Sequence, residues 1–167
     1  MAISQMESAP STSVPNIMLE QSRIIRAPRA RVYEAWTKPE LLMKWVGSAE
    51  THCPSATLDV RVGGDYRIEF APNTPPPAVP GDSCGERDSA AVGQYTQVVP
   101  NELLQFTWSS KWYPGEESLV TVSFRDARGG TQIDIRHERF NTEASRDGHN
   151  KGWAGCLDKL EAIADTL

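Results

Sequence analysis

The sequence predicts an α+β fold: a curved, seven-stranded antiparallel sheet closed over one long C-terminal helix, with two short helices between strands 1 and 2. Three features predict it. The closing stretch SRDGHNKGWAGCLDKLEAIADTL sets His149, Trp153, Cys156, Leu157, Leu160, Ala164 and Leu167 at steps of three and four, gathering them on one face of a 3.6-residue period. Ahead of it, runs of alternating apolar and polar residues are separated by short Gly/Pro/Asn turns, the pattern of an antiparallel meander with one buried face. Between the first such run and the rest, two proline-started segments carry helical spacing instead.

Residues 1–16 are small, polar and proline-punctuated. Such a segment cannot bury enough surface to offset the entropy of ordering it, so it is expected to be a disordered tail, with one domain over 17–167. Ile17 to Arg26 suits a strand, ended by Ala27-Pro28. Pro28 then opens a helix carrying Val32, Tyr33, Ala35 and Trp36, and Pro39 opens a second, PELLMKWV, carrying Leu41, Leu42 and Trp45. Ala56-Leu58-Val60 and Tyr66-Ile68-Phe70 alternate around Gly63-Gly64, which reads as a two-residue hairpin turn. A phosphate cradle is disfavoured there, because a strand follows where a helix would be needed. Residues 72–90 form a proline- and glycine-rich loop. Four further strands run over Val92 to Val99, Leu103 to Ser109, Ser118 to Arg125 and Thr131 to Arg139. Leu104, Phe106, Trp108, Val120, Val122, Phe124, Ile133, Ile135 and His137 share one face of them; Asp134, Arg136 and Glu138 take the other. Ser145 is the expected N-cap of the last helix, which at 1.5 Å per residue is about 30 Å long. Its interior Gly152 costs about 1 kcal/mol against alanine, so Gly152 or Gly155 is expected to admit a close backbone approach.

The totals bound the function. A chain of 167 residues, 39% hydrophobic and 23% charged, is long enough for one real core. No apolar run approaches the roughly 18 residues that a membrane span requires, and the N-terminal stretch has no secretory pattern. Three cysteines at irregular spacing fit reduced thiols, and a cytoplasmic location, better than a disulfide framework. A net charge of −5 without a basic cluster argues against nucleic acid.

Five stretches in order, IIRAPRARVYEAWTKPELLMKW, DVRVGGDYR, GQYTQVVPNELLQFTW, GTQIDIRHERF and HNKGWAGCLDKL, resemble the START-like helix-grip (SRPBCC) superfamily. The nearest branch is the one named for homologues of the activator of the heat-shock chaperone ATPase (AHSA-type). The resemblance implies a sheet gripping the C-terminal helix around an apolar cavity. It also implies a range of roles, from lipid carriers and hormone receptors to polyketide cyclases and chaperone cofactors.

The residues favour a binding protein over an enzyme. The aromatic inward faces predict a pocket for a small apolar or amphipathic ligand, lined by Trp36, Trp45, Leu58, Tyr66, Phe70, Phe106, Trp108, Phe124, Ile135, His137 and Trp153; Trp112 belongs to the same aromatic set. His137 and His149 are the candidate acid–base groups of a small cyclase or hydrolase, with Asp59 or Glu138 nearby. For each histidine, a hydrogen-bonded core role is the simpler reading. His52-Cys53 with Cys84 matches no compact zinc spacing, so neither metal nor cofactor is expected. Asp59 and Arg61 read as a solvated ion pair. A chaperone, or a second copy through the sheet, is the alternative partner.

Overall fold

A computed structural model describes residues 16–74 and 89–167. Residues 1–15 of the expected tail, most of the 72–90 loop and Cys84 lie outside the described residues.

The chain runs β1 (Ile17–Ile25), α1 (Arg29–Thr37), α2 (Pro39–Leu42), β2 (Thr51–Leu58), β3 (Asp65–Pro72), β4 (Ser89–Val99), β5 (Leu103–Ser110), β6 (Ser118–Ala127), β7 (Gly130–Phe140) and α3 (Glu143–Ile163), ending in a 3₁₀ turn at Ala164–Thr166. The seven strands form one antiparallel sheet in the order β1-β7-β6-β5-β4-β3-β2. Strands β2 to β7 are a meander, and β1 returns along β7. The register carries the predicted face: Phe106 lies opposite Val120, Leu104 opposite Val122, and Val122 opposite Ile135. All of these are buried, because side chains two apart on a strand share a face and one face must leave water.

Helix α3 buries Trp153, Cys156, Leu157 and Leu160. It lies along β1, where Arg23 bonds Asp158 at 2.7 Å and Gln21 donates to the Asn150 carbonyl. α1 and α2 are too short to be stable alone. They are held by Val32, Ala35, Trp36 and Leu42 in the core, and by the Trp45 indole donating to Ala35 O at 2.9 Å.

Three local expectations are corrected and a fourth is narrowed to one residue. Helix α3 begins at Glu143, and its N-cap is Thr142, whose hydroxyl accepts from Ser145 N; the Ser145 side chain is buried and engaged elsewhere. α2 ends at Leu42 instead of Val46, the chain leaving the helix through a turn. The Gly63-Gly64 turn is not a two-residue hairpin, since β2 stops at Leu58 and Asp59–Gly64 form a longer connection. Only Gly63 takes a positive φ, +84°, while Gly64 is needed because a Cβ there would strike the Asp59 carbonyl. Both glycines instead bond Tyr95 of β4, through Gly63 N to Tyr95 O and Tyr95 N to Gly64 O. Of Gly152 and Gly155, it is Gly155 that makes the expected close approach: a Cβ there would lie 3.0 Å from Ala49 N, whereas one on Gly152 would meet nothing within 4 Å.

Candidate functional site

The helix and sheet do not meet evenly. α3 lies against β1 and β7, and α1 against β6 and β7, so that half of the interior is filled. Over the other half a cavity of about 430 Å³ opens between α1, α2, α3 and the inner face of β3 to β5. No lining residue comes from β1, β6 or β7.

Its wall is aromatic because three elements deliver large rings to one space. Trp36 from α1 stacks at 5.8 Å on Trp153 from α3, and packs at 4.6 Å against Trp45. From the sheet, Tyr66 and Phe106 meet edge to face at 5.4 Å, and Trp108 lies 5.8 Å from Trp153. Phe70 and Trp112 pair edge to face at 5.1 Å. The Trp112 indole, 45% exposed, marks where the cavity meets solvent.

Seven of the residues expected to line a pocket therefore do so: Trp36, Trp45, Tyr66, Phe70, Phe106, Trp108 and Trp153. Leu58, Phe124, Ile135 and His137 do not. Phe124 lies edge-on to Trp36 and Tyr33, and Ile135 is 1% exposed within the packed half. Leu58 packs on the core at the end of β2. Lining residues outside that expected set include Leu42, Val46, Ile68, Tyr95 and Leu104, together with Ser48, Thr51, Tyr113, Gly148, Gly152 and Cys156. Ile68 and Leu104 carried the inward-face signal of their strands. Ser48 and Tyr113 sit on connections, where no period marks them.

The two histidines are neighbours, with ring centroids 5.0 Å apart, yet only His149 lines the cavity. His137 is fully buried behind it. The donors around them fix both tautomers. Trp153 Nε1 donates to His137 Nδ1 at 3.0 Å, so the proton sits on Nε2, which donates to Ser118 Oγ at 2.7 Å. The Ser118 hydroxyl in turn donates a hydrogen bond to Trp108 O. Trp108 Nε1 donates to His149 Nε2 at 3.1 Å, and His149 Nδ1 donates to Ser145 O at 2.7 Å. Burial away from water pushes the His137 imidazole down to about 2, with His149 adding to the effect, and burial lowers His149 as well, the Ser145 carbonyl and Glu116 opposing it. Both rings are neutral, His137 within the core and His149 at the cavity wall.

A carboxylate does belong to this network, but not one of those expected. Glu116, in the β5–β6 turn and 6% exposed, accepts from Ser145 Oγ at 2.6 Å and from Asn141 N at 2.7 Å. Asp59 instead pairs with Arg61 at 2.8 Å on an exposed connection, and Glu138 pairs with Arg136 at 3.0 Å. His52 bonds Asn73 and the buried Cys53 thiol donates to Ser55 O. Among the described residues no three potential metal ligands gather. One buried side-chain donor has no hydrogen-bond partner among them, the indole N–H of Trp36.

An antiparallel sheet curled over a long C-terminal helix, with a cavity to one side, is the architecture of the START-like helix-grip class. Within it, the chain belongs to the Activator of Hsp90 ATPase homolog 1-like protein family, whose profile matches residues 26–165. A protein from Chromobacterium violaceum is similar over 89% of this chain and 96% of its own, at 24% identity and a TM-score of 0.71. Another, from Rhizobium leguminosarum, is similar over 91% and 96%, at 25% identity and a TM-score of 0.70. The AHSA1-like protein from Aeromonas hydrophila matches over 89% and 92%, at 21% identity and a TM-score of 0.69. Below a quarter identity such likeness is one of fold. No curated protein matches the sequence significantly, and no described helix is long and apolar enough to cross a membrane.

Proposed function

We propose that this protein is a cytoplasmic binding protein that takes a small apolar or amphipathic molecule into the cavity between α3 and strands β3 to β5. The observation that carries the reading is the cavity itself: about 430 Å³ of space walled by five tryptophans, Trp36, Trp45, Trp108 and Trp153 with Trp112 at its mouth, and other aromatic rings between them. Ligand sites of this kind are concave, mostly apolar and a few hundred cubic ångströms in volume. The imidazole nearest the cavity has both ring nitrogens engaged within the protein, which favours holding a molecule over transforming it.

Titration with a fatty acid, a sterol and a flavonoid, followed by tryptophan fluorescence and native mass spectrometry, tests the proposal. Quenching with a one-to-one mass adduct is expected for at least one of them. Unchanged fluorescence with all three would remove the reading. A chaperone pull-down with an ATPase assay addresses the partner that the family name suggests.

A further inference from the structure

Ser48 and Thr51 stand on the connection from α2 into β2, and both line the cavity. Their hydroxyls lie 3.0 Å apart. Ser48 N donates to Thr51 Oγ1 at 2.8 Å, and Glu50 N reaches Ser48 Oγ at 3.4 Å. Each hydroxyl brings one proton. Only one of the two is used between them, whichever oxygen donates, so one O–H is left over at the cavity wall. Of the other polar groups of the wall, Tyr66 OH donates to Thr107 O, the Cys156 thiol to Gly47 O, and Trp108 Nε1 to His149, while the Trp36 indole N–H is a second donor there without a partner among the described residues.

A cation stands behind the same turn. Lys159 Nζ donates to Ser48 O at 2.7 Å and to Thr51 O at 2.6 Å, which leaves one ammonium proton and a positive field beside the pair. The Glu50 side chain on the turn is exposed to water. The opposite end of the wall has the other sign: Tyr113 rests on Gly148, and Glu116 is buried close by. Ser48 packs at Gly155, seven residues further along α3, so the two ends are separated by about 10 Å along the helix.

We infer that the Ser48–Thr51 hydroxyl pair is the polar anchor of the cavity, and that its ligand carries a hydrogen-bond acceptor, a carbonyl or an anionic oxygen, at one end of an apolar body. The inference rests on the cavity-binding reading. The ligand's apolar part lies along the tryptophans and its acceptor takes the spare O–H. Lys159 favours the anionic form of that acceptor.

Three probes that share one aromatic body test this: N-phenyl-1-naphthylamine, its 8-sulfonate, and the neutral phenyl 1-naphthyl ketone, each titrated against tryptophan fluorescence. The sulfonate or the ketone is expected to bind roughly tenfold more tightly than the amine, the scale of one buried hydrogen bond to an acceptor. The double variant Ser48→Ala/Thr51→Val is expected to abolish that ratio while still binding the amine, and Thr51→Ser to retain it. Comparing probes within one variant cancels any general loosening of the cavity, and circular dichroism confirms that each variant is folded. An advantage limited to the sulfonate and lost in Lys159→Met identifies an anionic head group; an equal advantage for the ketone identifies a carbonyl. A ratio unchanged in the double variant overturns the anchor and leaves the cavity reading standing. No binding of any probe by the unaltered protein overturns both.

Discussion

Trp153 on α3 donates its indole proton to Nδ1 of His137 on β7 at 3.0 Å, in a place that water does not reach. That bond joins helix to sheet through a neutral imidazole, and it makes the grip of the helix dependent on protonation.

The consequence is acid sensitivity. His137 titrates at about 2 in the folded protein and near 6.5 when unfolded. Below pH 6.5 the unfolded chain therefore binds the extra proton, so the stabilising contribution is complete above pH 6.5 and declines as pH falls toward 2. The slope approaches about 1.4 kcal/mol per pH unit well below pH 6.5, which amounts to about 2 kcal/mol between pH 6.5 and 4.5. His149, also lowered, acts in the same direction. Urea unfolding at pH 7.0, 6.0 and 5.0 measures the slope, which His137→Gln should reduce. Equal midpoints at all three values would contradict the neutral assignment.

Ser145 supplies a second test of the same network. Its hydroxyl donates to Glu116 at 2.6 Å in a buried site, so Ser145→Ala leaves a carboxylate oxygen without that donor. A loss of about 1–3 kcal/mol is expected by chemical denaturation. Thr142→Ala, which removes the N-cap at the same end of α3, should cost about 1 kcal/mol. A neutral Ser145→Ala would overturn the weight given to its bond with Glu116, and a neutral Thr142→Ala beside a costly Ser145→Ala would make Ser145 the helix cap that its sequence position suggests.

Most of the architecture was legible because its signal is periodic. Leu104, Phe106 and Trp108 alternate on β5 and enter the core together; Trp153, Cys156, Leu157 and Leu160 share the buried face of α3. The return of β1 alongside β7 was not legible, since strand pairing across the whole chain leaves no local mark. The cavity was half legible for the same reason. Alternation places Phe106 and Phe124 on one face of the sheet, but only curvature and the tilt of α3 toward β1 decide that space remains over Phe106 and none over Phe124. The polar members Ser48, Thr51 and Tyr113, and Glu116 behind the wall, stand at turns or the first residue of a strand. There, position in space depends on the fold and not on a repeat.

Gly152 and Gly155, two of the three glycines of α3, provide the last prediction, because they sit one turn apart and face opposite situations. A Cβ at Gly152 meets nothing within 4 Å and that residue lines the cavity. Gly152→Ala should therefore recover the helix propensity that glycine forgoes, a gain of about 1 kcal/mol, and Gly152→Leu should project into the cavity and weaken binding of every naphthyl probe. Gly155 faces the backbone of Ser48 and Ala49, at 3.2 Å and 3.0 Å from a built Cβ. A larger side chain there has to displace the turn that carries the hydroxyl pair, so Gly155→Leu should destabilise by about 1–3 kcal/mol, as overpacking does. Because that turn moves, the advantage of the sulfonate over the amine should fall in the folded fraction of Gly155→Leu, whereas Gly152→Ala should leave it intact. Thermal unfolding paired with the two titrations separates these outcomes. A Gly152→Leu variant that bound the probes as tightly as the unaltered protein would place them outside the cavity.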